Sequence, residues 1–210
     1  SSHVHEVMIR LALSRPDVSF RLVNNGRTTL HTPGTGRLPD VLLALYGPDT
    51  VRELFPIDYS DGNIHICGYA ARPSLRKGSR QWQSFSVNRR VIGSRMLNRA
   101  VDAAYQTLLP QGTHPLVTLQ IEAPPELVDV NVHPQKAEVK FQDDRAIFRV
   151  VHAALKEKLT LPETPAETAA AFNPANYRPQ FPNSYVQETL PMRELPDTPR
   201  SAAVFSPGEP

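Results

Sequence analysis

A single cysteine, Cys67, leaves this 210-residue chain no partner for an internal disulfide. Packing and hydrogen bonding must hold the fold, and such cysteine usage suits a reducing compartment. Cys67 sits in the alternating run Ile64-His65-Ile66-Cys67-Gly68-Tyr69, which suits a small, buried, apolar role rather than a reactive thiol. No apolar run approaches the roughly 20 residues that a membrane-spanning helix needs. No signal peptide is read at the start, and no internal repeat is found. The most telling absence is of acid: between Asp61 and Asp102 there is no Asp or Glu. The same stretch carries Arg72, Arg76, Lys77, Arg80, Arg89, Arg90, Arg95 and Arg99. Solvated surfaces mix signs. A stretch of one sign predicts an anionic partner, most simply a nucleic-acid backbone. The competing reading is that these side chains scatter over several faces once the chain folds.

Prolines divide the chain. Of the 21, 10 lie in residues 161–210, where 3 basic residues face 6 acidic ones. That segment keeps no helical or strand period. It predicts a disordered, Pro-rich linker over 160–210, because it cannot bury enough apolar surface to offset its ordering entropy. Residues 1–159 read as one folded domain. Val4, Val7, Met8 and Leu11 share a helical face. Val18 to Val23 alternates like a half-buried strand, Asn24-Asn25-Gly26 is a hairpin turn, and Thr28 to His31 returns. Leu38, Val41, Leu42 and Leu45 mark a short helix closed by Gly47-Pro48. Ile64–Ala71 and Trp82–Val87 read as strands, joined by a basic loop.

Met96, Leu97, Ala100, Val101, Ala104, Tyr105 and Leu108 predict a strong amphipathic helix. Strands follow over 116–121, 127–132 and 137–141. Asp143 or Asp144 is placed to cap a last helix with the stripe Ile147, Val150, Val151, Ala154 and Leu155. Strands with interspersed helices make an α/β or α+β layer structure.

The run Val128-Asp129-Val130-Asn131-Val132-His133-Pro134-Gln135-Lys136-Ala137-Glu138-Val139-Lys140-Phe141 is two alternating segments around a break. Pro134 has a fixed φ and no backbone donor, and it keeps His133 extended. Lys136 is thereby presented from a stiff loop, where a lysine suits a phosphate as a point charge. Locally, an exposed lysine on a strand-turn-strand is the plainer reading. Asn131 and His133 read as structural, holding the loop.

This run resembles the DVNVHPxKxEVxF signature of the MutL family of DNA mismatch repair proteins. A second block, Phe85-Ser86-Val87-Asn88-Arg89-Arg90-Val91-Ile92, is similar to that family's F/Y-V-N-G-R segment, with Arg89 where the family usually has Gly. The resemblance runs from about His5 to Leu159 and covers the family's second domain, the transducer. It implies a ribosomal protein S5 domain 2-like fold, a mixed sheet with helices packed on one face. It implies that Lys136 reaches the γ-phosphate of ATP in a neighbouring ATPase domain, which would bind most of the Mg-ATP.

The same resemblance places a DNA-contacting arginine at Arg95. Arg76, Lys77, Arg80, Arg90 and Arg99 are further DNA-binding candidates, contributing phosphate contacts without base specificity. DNA, a MutS-type mismatch recognition protein and a homodimer formed through other domains are the implied partners, in a bacterial cytoplasm. No block here matches the family's ATPase motifs, a nuclease metal motif or a dimerisation domain. The chain is therefore expected to be a fragment that does not hydrolyse ATP alone, with no metal site of its own.

Three other readings stay open: an S5-like nucleic-acid-binding module without ATP coupling, the transducer of a type II topoisomerase-like ATPase, and a protein-interaction domain. His3 and His5 are too few for a metal site. Gln187-Glu188-Thr189-Leu190-Pro191-Met192 faintly resembles a clamp-binding peptide, a match too short to specify one.

Overall fold

The computed structural model describes residues 2–129 and 140–160. Helix α1 (Ser2–Ser14) leads into a hairpin of β1 (Arg21–Asn24) and β2 (Arg27–His31), then α2 (Leu38–Arg52). β3 (Leu54–Asp61), β4 (Ile64–Ala71), β5 (Arg76–Lys77), β6 (Gln83–Val87) and β7 (Arg90–Ile92) follow, with a 3-10 turn at Arg80–Trp82. α3 (Arg95–Tyr105) precedes β8 (His114–Pro115), β9 (Val117–Glu122), β10 (Val128–Asp129), β11 (Lys140–Phe141) and α4 (Asp144–Thr160). Five strands form the main sheet in the order β3-β4-β9-β6-β7. β6 and β9 run parallel and the other neighbours antiparallel, so the sheet is mixed, as the resemblance implied.

Phe85 and Val87 of β6 join Leu119 and Ile121 of β9 in one core with Leu97, Ala100 and Val101 of α3 and Ile147, Val151 and Leu155 of α4. Side chains alternate along a strand. Gln120, between Leu119 and Ile121, instead donates through Nε2 to the Leu13 carbonyl of α1 at 2.9 Å. A second, smaller core joins Ala12 and Leu13 of α1 to Val41 and Leu42 of α2, Leu54, Ala71 and Leu116. Tyr105 ties the two together: it packs in the first core, and its hydroxyl donates to the Ala71 carbonyl at 2.6 Å. Burial pushes that hydroxyl's pKa far up, so it stays a donor.

Several expected features are present. Asn25 and Gly26 take left-handed φ values of 50° and 75° at the β1–β2 turn. Gly47, with φ 77° and ψ 168°, breaks α2 before Pro48. Asp143 caps α4, its Oδ1 accepting from the backbone N–H of Arg145 and Ala146 at 3.0 and 2.9 Å. All five apolar residues expected along that helix are buried.

Others differ. Val4, Val7 and Leu11 of α1 are exposed, and the helix buries Ala12, Leu13 and Ser14 instead. The first hairpin strand begins at Arg21 rather than Val18, and Val23 is exposed, so it is no half-buried strand. β3 was missed because Pro56 interrupts its alternation and Asp58, Ser60 and Asp61 face solvent. It is an edge strand, where a proline is tolerated. Cys67 is half-buried rather than fully enclosed, and burial raises its thiol pKa.

His65 on β4 bridges its two neighbouring strands. Its Nε2 lies 2.9 Å from Asp58 Oδ1 on β3, and its Nδ1 lies 3.6 Å from Glu122 Oε2 on β9. The Asp58 hydrogen bond raises its pKa; desolvation opposes it, and the charges of both carboxylates add to the rise. A raised folded pKa makes the contribution full below the unfolded value of about 6.5 and lost as pH rises through the folded value. Water screens the group, so the expected contribution is a few tenths of a kcal/mol, roughly. Urea denaturation should show His65→Gln less stable than native near pH ~5.5, with the gap closing by pH ~8.5. An equal gap at both pH values would assign the loss to packing.

Candidate nucleic-acid interface

The cations between Asp61 and Asp102 are sorted by the tertiary structure into three kinds. The first kind is committed to intramolecular contacts. Arg80 Nη2 donates to Asp102 Oδ2 at 2.7 Å, and the other Asp102 oxygen lies 3.1 Å from His114 Nδ1. The acid that closes the stretch in sequence thus folds back onto it. Lys77 places its ammonium 4.4 Å from the centre of the Trp82 ring, a cation–π contact. Trp82 in turn meets Tyr46 at 5.3 Å between ring centres. Burial pushes the Tyr46 hydroxyl pKa up to about 12, so that cluster carries no phenolate at neutral pH.

The second kind belongs to loops beside the sheet. Arg76 is exposed on β5, whose register pairs it with Pro115 of β8. The Arg72 backbone N–H donates to the Glu53 carbonyl at 2.8 Å and fixes the start of that loop.

The third kind forms no ion pair within 4 Å among the described residues and is clustered along the chain. Arg89 and Arg90 sit at the β6–β7 turn, and Arg95 and Arg99 on the first two turns of α3. All four are exposed, and none has an ion-pair partner among the described residues. The turn is held from below. Asn88 and Arg89 take φ values of 47° and 66°, the left-handed geometry of a tight hairpin. Asn88 clamps it, donating through Nδ2 to the Ala123 carbonyl at 2.9 Å and accepting the Ala123 N–H through Oδ1 at 3.1 Å. Arg89 therefore adopts the backbone for which glycine is the usual residue, and its charge helps to hold the Asp17 carboxyl pKa down, at about 2, behind the dominant Arg15 hydrogen bond.

α3 begins with Ser94 as its cap, the hydroxyl accepting from Leu97 N–H at 3.3 Å. No acid stands in its first turn. Arg95, Arg99 and Asp102 fall at i, i+4 and i+7, one stripe of the helix. Arg80 joins the far end of that stripe through Asp102, and His114, opposite Lys77 in the β5–β8 register, meets it there too. Through Asp102 the structure thus brings Arg80 to the helix that carries Arg95 and Arg99, while Lys77 lies opposite His114 across β5–β8 and Arg90 stands on β7. The charges of Arg80 and Lys77 are taken up by Asp102 and Trp82. No sequence spacing announced Asp102 as the partner of Arg80, because that contact runs from the 3-10 turn to the helix.

Lys136, Asn131 and His133 lie outside the described residues, as does the tail peptide Gln187–Met192. The flanks of the Lys136 segment are described. Val128 pairs with Phe141 and Asp129 with Lys140. Phe141 is 2% exposed in the main core, and the Gln142 N–H donates to the Leu127 carbonyl at 3.0 Å. Among the described residues no group of three or more His, Cys, Asp or Glu side chains could hold a metal ion, and no helix is long and apolar enough to cross a membrane.

A family model described as the C-terminal domain of DNA mismatch repair protein matches residues 42–160. The DNA mismatch repair protein MutL of Halothermothrix orenii is 41% identical over 174 residues, 83% of this chain and 27% of that protein. MutL of Geobacillus kaustophilus is 44% identical over 155 residues, 74% of this chain and 25% of that protein. The chain thus spans about a quarter of the length of the relatives it matches. In fold, it is similar to a crystal structure of the N-terminal domain of a DNA repair protein, with a TM-score of 0.64 and 21% identity over 75% of this chain and 53% of that one. It is also similar to the ATPase domain of the mismatch repair endonuclease MutL of Aquifex aeolicus, with a TM-score of 0.50 and 19% identity over 73% and 51%. A matched domain over more than half of its length, carrying the motif run at Val128–Phe141, places this chain in the MutL family of DNA mismatch repair proteins.

Proposed function

We propose that this chain is the transducer of a MutL-type mismatch repair protein. DNA lies along the β6–β7 turn and the α3 stripe, and Lys136 brings a positive charge to the γ-phosphate of ATP held by a neighbouring ATPase domain. The observation that carries the DNA half is the set of exposed arginines without carboxylate partners among the described residues, Arg90, Arg95 and Arg99, with Arg89 beside them. A helix N-terminus disfavours cations. An arginine at the first position of α3, with no acid in that turn, is poor for stability and good for meeting an anion. Arg76 adds a phosphate contact from β5, while Arg80 and Lys77 contribute less because their charges are already engaged.

The ATP half is supported by the motif and by the described strand pairing on either side of it. Val128 pairs with Phe141 and Phe141 is buried, so the residues on either side of the segment that carries Lys136 belong to the core. In this reading Mg-ATP is bound by the ATPase domain and this chain contributes the one lysine. A MutS-type protein, a second copy joined through other domains and a bacterial cytoplasmic location complete the proposal. An S5-like module without ATP coupling would keep the arginines and make no use of Lys136, so the lysine separates the two readings.

Weak, salt-dependent DNA binding is the expected result for the native chain. Arg95→Glu should weaken it several-fold more than Arg145→Glu, which reverses an exposed charge on the first turn of α4. Fluorescence anisotropy with a duplex across a salt series reads both. Removing a phosphate contact should also flatten the slope of log affinity against log salt by about one. Equal losses from the two changes would mean that only net charge matters, and the localised interface would be wrong.

A further inference from the structure

α3 carries its charges the wrong way round for a helix. Arg95 opens it, and Asp102, its only acid, stands in the last turn. A helix macrodipole favours acids at the start and cations at the end, so helix stability accounts for neither choice. Asp102 also interrupts the face it stands on. It follows Arg95 and Arg99 along one stripe, so a phosphate that meets those arginines meets its negative charge as well.

The Asp102 carboxylate has two partners of different kinds. Oδ1 lies 3.1 Å from His114 Nδ1, and Oδ2 accepts from Arg80 Nη2 at 2.7 Å. An ionised carboxylate only accepts, so His114 bonds it through an Nδ1–H. The His114 side chain is 16% exposed and the Arg80 side chain 54%. His114 thus holds the carboxylate from within, and Arg80 is the partner that can turn to another anion. If it does, Asp102 keeps its bond to His114, so the exchange leaves no carboxylate without a donor. The backbone need not move. Arg80 begins the 3-10 turn Arg80–Trp82, which Ser79 caps, its Oγ accepting from the Gln81 N–H at 3.2 Å. Only the arginine side chain has to swing.

We infer that Asp102 is an intramolecular competitor of DNA, which holds Arg80 out of the interface and keeps duplex affinity low. The inference rests on the DNA reading above and adds the regulation of that same interface. A tethered carboxylate stands beside the guanidinium at high effective concentration, and a phosphate arriving from solution must displace it. A phosphate contact releases counterions from the duplex, whereas an internal ion pair releases none. The two states of Arg80 therefore differ in the salt dependence of binding.

The test is a double-mutant cycle on the full chain, read by fluorescence anisotropy with a duplex across a salt series. Its corners are the native chain, Asp102→Asn, Arg80→Gln and the double variant. Asparagine keeps the shape of Asp102 and one acceptor oxygen, so Asp102→Asn should fold, with thermal denaturation as the check. Asp102→Ser, also neutral, repeats the measurement. Asp61→Asn, at the other end of the acid-free stretch, makes the same change in net charge. Asp102→Asn should bind the duplex about three- to fivefold tighter, the size of an exposed ion pair, with a salt slope steeper by about one. Arg80→Gln should cost less than about twofold in the native chain and cancel the gain in the Asp102→Asn chain. Asp61→Asn should stay within about twofold of native.

Equal effects of Arg80→Gln in the two backgrounds, or an equal gain from Asp61→Asn, would overturn the inference, since Asp102 would then act by net charge alone. A several-fold loss from Arg80→Gln in the native chain would also overturn it, because Arg80 would already hold a phosphate. In each of these cases a loss of affinity in Arg95→Glu leaves the DNA interface standing without the competitor. Absence of salt-dependent duplex binding in the native chain and every variant would remove the DNA reading and the competitor together.

Discussion

Gly68→Ala should abolish the fold or cripple it. Gly68 lies on β4 between Ile57 of β3 and Leu119 of β9, in the middle of the sheet. A Cβ built there would stand 2.0 Å from the Thr118 carbonyl oxygen and 3.0 Å from its carbon. Those are backbone atoms of the central strand β9, so no side-chain rotation relieves the contact. Its φ of 150° adds a backbone geometry that L residues rarely adopt. Relief requires β4 and β9 to part, and that breaks the ladder on which both cores rest. The expected loss is at least about 4 kcal/mol, in the class of severe strain, against a total stability of order 5–15 kcal/mol. For a domain of this size the melting temperature would drop by on the order of 10 °C or more. Gly78→Ala is the control, since a Cβ there meets nothing within 4 Å and its φ is not positive. Thermal denaturation followed by circular dichroism checks both. A Gly68→Ala protein within about 1 kcal/mol of native would show that the strands approach less closely than described.

Lys136→Ala should fold normally yet disable ATP hydrolysis when this chain is joined to its ATPase domain. The fold should survive because lysine side chains are rarely buried in a core. The anchors on either side, the Val128–Phe141 pairing and the buried Phe141, do not involve it. Hydrolysis should fall because charge develops on the phosphoryl group in the transition state, and a preorganised cation in a closed site is worth about 2–4 kcal/mol. That corresponds to roughly 30- to 1,000-fold in turnover. Lys136→Arg should restore only part of it, since a planar guanidinium sets its charge at a different point from an ammonium. Steady-state turnover of the two-domain protein is the measurement, with circular dichroism as the folding control. Unchanged turnover in a folded Lys136→Ala protein would remove the ATP half of the proposal and favour the uncoupled nucleic-acid-binding module.

Local chemistry made some features legible in advance. A turn needing positive φ takes Asn-Gly, a helix start takes a serine or aspartate cap, and a core-facing helix repeats its apolar residues every three or four positions. That is why the β1–β2 turn, the Gly47 break, the Asp143 cap and the whole buried stripe of α4 were readable from neighbours in the chain. β3 was not, because an edge strand is exempt from the alternation that marks a half-buried one and can carry Pro56. The exposed apolar face of α1 misled for a related reason. Periodicity says which side chains share a face, and only packing says whether that face is covered.

The interface divides in the same way. Sequence by itself determined that the chain carries a one-sign stretch and a motif run around Lys136, and that this run resembles the MutL family. Those properties are linear: they are counted along residues that stay neighbours whatever the fold. Only the tertiary structure decided which charges remain available. Asp102 returns to Arg80, Trp82 takes Lys77, and Arg90, Arg95 and Arg99 are left facing solvent. It also left the Gln83 side-chain amide buried with no hydrogen-bond partner among the described residues, at the end of a strand whose neighbour stops two residues short. Ion pairing and desolvation depend on distance in space, and residues far apart in sequence, such as 80 and 102, are brought within a hydrogen bond only when the sheet and helix close around their common core.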